Sequence, residues 1–152
     1  MLQKMPAAKF SATTSVELHA KGIGEKAGLL VFGRDYSYIA IEKGEDNYTL
    51  SQMVCMRADN QAGEKTIEQI ELPINQVILR VDVSPDNLDE IVPKVMCKFS
   101  YSLDGKNYQN FGEAFEASAG QWVGAKVGLF SIAPEDALTT GSALFDWFRI
   151  KK

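Results

Sequence analysis

The sequence is poor in the residues from which active sites are commonly assembled. It contains one histidine, His19, so neither a Ser-His-Asp triad nor a multi-histidine metal centre has much to draw on. Its two cysteines, Cys55 and Cys97, form no CxxC pair and have no neighbouring histidine, which argues against a zinc ligand set. No apolar run approaches the roughly 18–20 residues needed to cross a bilayer. The opening Met1-Leu2-Gln3-Lys4-Met5-Pro6 lacks the apolar stretch of a signal peptide. Lys and Arg are scattered without a basic run and the formal net charge is −4, so nucleic acid is not an expected partner, and nor is a membrane.

Carboxylates are plentiful, yet none is placed for catalysis. Glycoside hydrolysis needs two fixed carboxyls roughly 5–9 Å apart. Sandwich-fold endoglucanases present Glu-x-Asp-x-Glu on one strand face, and that pattern is missing. Glu45-Asp46 and Asp89-Glu90 fall in loops and read as solvated charge. No catalytic residue is nominated, and no metal ligand either. A structural calcium would draw on acidic loop residues and carbonyls, but no spacing selects its ligands.

What the sequence does have is period-two alternation. The 152 residues are 45% hydrophobic and 24% charged, suited to one domain over 1–152. Phe10, Ala12, Thr14, Val16 and Leu18 alternate with polar residues, and Val77, Leu79, Val81 and Val83 alternate with Ile78, Arg80 and Asp82. Val95, Cys97, Phe99 and Tyr101 repeat the pattern, and so do Val123, Ala125, Val127 and Leu129. Gly28–Gly33 is apolar on both faces, as in a central strand. Further strands are expected at Tyr36–Lys43, Tyr48–Arg57, Thr66–Leu72, Gln109–Ala117 and Ala143–Ile150. Asp104-Gly105 marks a tight hairpin and Pro85-Asp86-Asn87 a loop, while Asn87–Val92 is the one candidate helical turn. About ten short strands at even spacing predict an all-β fold, a two-sheet antiparallel jelly-roll sandwich.

Strand parity also assigns several single residues to a face. His19 falls on the polar side of its strand and reads as solvent-facing. Cys97 falls on an apolar side and reads as a buried thiol, with a disulfide to Cys55 as the rival reading. The strand opening at Trp122 is the most informative. Opposite its apolar side it carries Trp122, Gly124, Lys126, Gly128 and Phe130, a shallow strip that a ligand or another backbone could approach. If Gln52, Arg80 and Lys98 point the same way, the strip becomes a polar face edged by aromatics, suited to sugar or to a neighbouring domain. The bland alternative is a solvated sheet face.

The sequence also resembles the C-terminal concanavalin A-like domain of glycoside hydrolase family 43, the β-xylosidase and arabinofuranosidase group. Leu2-Gln3-Lys4, Phe10–Thr14, Gly24–Leu29, Leu50-Ser51-Gln52 and Phe99–Gly105 carry the likeness, followed by Trp122–Phe130 and Phe145–Ile150. The segments occur in order over nearly the whole chain. The resemblance implies a concanavalin A-like sandwich whose catalytic partner is a separate N-terminal propeller, absent here. It implies an accessory domain of a plant-polysaccharide-degrading enzyme that stabilises the catalytic domain and helps shape its pocket. Autonomous binding of xylo- or arabino-oligosaccharides is the alternative. The implied location is extracellular or periplasmic for a polysaccharide degrader, or cytoplasmic for an oligosaccharide-cleaving enzyme.

Overall fold

A computed structural model of the chain describes residues 1–60, 62–86, 94–118 and 124–152. Among the described residues, eleven strands form two antiparallel sheets. The strands are β1 (Leu2–Lys4), β2 (Phe10–His19), β3 (Lys26–Phe32), β4 (Tyr36–Lys43), β5 (Tyr48–Cys55) and β6 (Lys65–Leu72). They continue with β7 (Gln76–Pro85), β8 (Val95–Ser102), β9 (Gln109–Glu116), β10 (Lys126–Ile132) and β11 (Ser142–Lys151). One sheet has six strands in the order β1-β10-β3-β4-β5-β6, and the other has five in the order β11-β2-β7-β8-β9. Among the described residues the only helical piece is a 3₁₀ turn at Ala58–Asn60. The expected helical turn at Asn87–Val92 lies outside the described residues, as do Trp122 and Val123.

Alternation dictates which way each strand turns. Ala12, Val16 and Leu18 of β2 are fully buried, and Val77, Leu79, Val81 and Val83 of β7 meet the same core. Ala27, Leu29 and Val31 of β3, Ile39 and Ile41 of β4 and Leu50 of β5 face them from the six-stranded sheet. Each large aliphatic side chain buried this way stabilises the sandwich by about 1.5–3 kcal/mol before entropy is counted. Cys97 lies in this core and Cys55 at the end of β5, both as free thiols, so the disulfide reading is set aside. His19 is exposed beside Glu17, at 3.2 Å.

Asp104-Gly105 does turn the chain between β8 and β9, but within a loop over 103–108 rather than the tight turn expected. Gly105 takes a φ of 74°, the left-handed region that favours glycine. Asp104 Oδ1 accepts the backbone N–H groups of Lys106 and Asn107, each at 2.8 Å. These bonds hold the Asp104 carboxyl well below the usual carboxylate range.

β1 is the strand that alternation does not reveal. Three residues are too short to show a period, and their pairing with β10 is what orders them: Leu2 faces Gly128 and Lys4 faces Lys126. Because Gly128 has no side chain, the β1 backbone can pass where a Cβ would overlap the Met1 carbonyl. At Gly128 the backbone lying against the Gly-spaced strip is the chain's own β1.

Candidate functional site

Gln52, Arg80 and Lys98 do not join Lys126 and Phe130 on one face. Gln52 is fully buried between the sheets, not on a surface. Its amide is consumed there, accepting the Glu113 N–H at 2.8 Å and donating to the Glu113 carbonyl at 2.9 Å. Arg80 on β7 and Lys98 on β8 lie on the outer face of the five-stranded sheet, since their neighbours Val81 and Phe99 point inward. Lys126 and Phe130 lie on the outer face of the six-stranded sheet, since Val127 between them points inward. The physical reason is pairing: β7 and β8 join one sheet and β10 the other, so their outward side chains diverge. Trp122 falls outside the described residues.

Phe130 nevertheless belongs to a built site. On the outer face of the six-stranded sheet, register brings Leu30 and Phe32 of β3 beside Tyr38 and Tyr36 of β4. Phe32 and Tyr36 stack with centroids 6.2 Å apart, and Tyr36 and Tyr38 follow at 6.3 Å. Phe130 closes the row edge-on to Tyr38 at 4.8 Å. With Ile132, these rings line a shallow depression of about 230 Å³. Phe32 is 39% exposed and Ile132 50%, so the apolar surface reaches solvent.

The polar atoms here are already partnered. The Tyr36 and Tyr38 hydroxyls each donate to one oxygen of Glu64, both at 2.9 Å. Lys26 Nζ donates to the Tyr38 hydroxyl at 3.2 Å and lies 3.5 Å from Glu42. Burial, and then the hydrogen bond to Glu64, push both phenols well above the usual tyrosine value. Glu64 holds two phenols and Glu42 faces a lysine, so neither is positioned as a free acid or base. What the depression offers chemically is apolar, aromatic contact area bordered by hydroxyls and carboxylates that are already partnered. The signal in the sequence was Tyr36-Ser37-Tyr38, an i, i+2 aromatic pair on one side of a strand, next to Phe32.

Comparison with known proteins gives this geometry a context. Residues 1–151 match the family model for the β-xylosidase C-terminal concanavalin A-like domain. A β-xylosidase of Formosa agariphila is 28% identical over 122 residues, which cover 80% of this chain and 18% of that protein. A glycoside hydrolase family 43 protein of Bacillus licheniformis superposes with a TM-score of 0.78 at 18% identity, over 99% of this chain and 29% of that one. The xylan β-1,4-xylosidase of Bacillus halodurans gives 0.77 at 15% identity, over 99% and 29%. Sheep galectin-11 gives 0.51 at 11% identity, over 99% and 95%. The chain thus spans less than a third of the length of these bacterial relatives.

Proposed function

Because the chain belongs to the family of β-xylosidase C-terminal concanavalin A-like domains, we propose that it docks on the catalytic part of a larger glycoside hydrolase through the outer face of its six-stranded sheet. It thereby stabilises that part and borders its substrate pocket. The parent reaction in this reading is hydrolysis of xylo- or arabino-oligosaccharide linkages, carried out elsewhere in the protein.

The observation that supports the docking reading is the aromatic row from Phe32 to Phe130. Around the buried Tyr38, the rings of Phe32, Tyr36 and Phe130 reach solvent, and an aromatic patch of this kind usually marks a partner interface. A sugar site would need polar groups free to meet hydroxyls, whereas here the hydroxyls and carboxylate satisfy one another. A dry protein surface is the better match.

The test compares this chain alone with the longer protein that carries it. Hydrogen exchange and oxidative footprinting should show Phe32, Tyr36 and Phe130 protected only in the longer protein. Phe32→Ser with Phe130→Ser should lower the melting temperature of the longer protein's catalytic part. Equal exposure of the face in both forms would overturn the docking reading, and so would hydrolysis of aryl xylosides by the isolated chain at enzyme-like rates.

A further inference from the structure

The outer face of the five-stranded sheet has a different chemistry. The register of β11, β2, β7 and β8 places Arg149, Thr13, Arg80 and Ser100 in one row across the strands. The next row holds Lys151, Ser11, Asp82 and Lys98. Four cations therefore stand with one carboxylate on a chain whose net charge is −4, so basic charge is segregated here against the overall balance.

Most of this charge is uncompensated. Arg80 donates to Asp82 Oδ1 through Nε at 3.0 Å and Nη2 at 2.6 Å. Lys98, Arg149 and Lys151 are exposed and pair with no carboxylate among the described residues. Glu17 lies further along β2 and pairs with His19.

Two rings orient the guanidinium groups. Arg149 lies 4.4 Å from the centre of the Trp147 ring, and Arg80 lies 5.5 Å from that of Tyr108. β11 and β7 are two strand spacings apart, so the two arginines sit about 10 Å from each other. Between them lie the half-exposed hydroxyl-bearing side chains of Thr13 and Ser11.

We propose that this face binds an acidic glycan, a chain of sugars some of which carry uronate carboxylates. Arg149 and Lys151 hold the carboxylate, Lys98 supplies further positive field, and Thr13 and Ser11 meet sugar hydroxyls beside the Trp147 ring. A planar guanidinium fixed over an aromatic ring suits a planar carboxylate. The patch is too small, and the chain too acidic overall, to hold the continuous phosphate track of a nucleic acid. This site goes beyond the docking reading and lies on the opposite outer face, so either can fail without the other.

The experiment is calorimetry of the 152-residue chain with xylo-oligosaccharides substituted by glucuronic acid. Parallel titrations use the same oligosaccharides after carboxyl reduction, and polyglutamate as a sugar-free polyanion. Binding should appear with the acidic oligosaccharide and change Trp147 fluorescence. It should weaken about tenfold on carboxyl reduction, and by a similar factor in the Arg149→Gln, Lys151→Gln double variant. Both positions are exposed, so folding should be unaffected, and Lys65→Gln on the other sheet should leave binding unchanged. The proposal is overturned by no binding at millimolar acidic oligosaccharide, by equal binding of the reduced oligosaccharide, or by equal binding of polyglutamate.

Discussion

Gln52 and Glu113 exchange a reciprocal pair of hydrogen bonds across the sandwich, joining β5 of one sheet to β9 of the other. The Gln52 amide acts as a one-residue strand partner for the backbone of β9, the outermost strand of its sheet. Gly112 takes a φ of 70°, and a Cβ there would overlap Gln52 Oε1. Gln52→Ala should therefore cost about 3 kcal/mol, because it orphans a backbone donor and acceptor and leaves a cavity. Gly112→Ala should also destabilise, and the two losses should not add, because they act on one contact. Urea unfolding of both single variants and the double variant measures this.

Gln52 also shows what the sequence made legible. Its strand parity matches Leu50, so alternation places it inward, where an uncharged amide is uncommon without a partner such as Glu113. The core positions on β2, β7 and β8 were legible because one side of each strand is predominantly apolar, as with Val77, Leu79, Val81 and Val83, with Thr14 the polar exception on β2. The separation of Arg80 and Lys98 from Lys126 and Phe130 was not legible. Which sheet a strand joins depends on pairings distant in sequence, such as β10 with β1 and β3. The aromatic row needed the same information, since Phe130 reaches Tyr38 only once β3 lies between β10 and β4.

The phenols bound to Glu64 should resist ionisation. Tyr36 and Tyr38 are held above the normal tyrosine range by burial first and the Glu64 carboxylate second. A phenol raised in the folded state contributes stability that is complete below its unfolded value near 10. That contribution is lost as pH climbs from there towards the folded value. The domain should therefore weaken above about pH 10. Absorbance titration should show two of the five tyrosines ionising only with unfolding. Glu64→Gln should move both titrations down, since it removes the negative charge beside the hydroxyls.

The two thiols should be silent in the native state. Burial pushes the Cys97 thiol up to about 12, which leaves almost no thiolate at neutral pH. Cys55 is 1% exposed, and its Sγ donates to the Ala62 carbonyl at 3.0 Å. Iodoacetamide at about pH 8 should modify neither until denaturant is added, after which both should react. Native-state labelling of Cys97 would mean that the core between β7 and β8 opens readily.

Strand β1 depends on a glycine, and that dependence can be tested directly. The Leu129 N–H donates to the Met1 carbonyl at 2.8 Å, and the Met1 ammonium donates to the Leu129 carbonyl at 2.9 Å. Both bonds require the β1 backbone to lie close against β10 at Gly128. Gly128→Val would force β1 away, because the blocking atoms belong to backbone and cannot rotate aside. The core side chains Val127 and Leu129 point the other way, so the sandwich itself should survive. The expected result is a loss of about 1–3 kcal/mol, with faster hydrogen exchange at the Leu129 amide and little change at Leu29 or Ile39. Displacing β1 also uncovers the edge of β10 and more of Leu30 and Phe130, so the variant should self-associate at lower concentration than the parent chain. Sedimentation measures the association, and exchange mass spectrometry locates the opening.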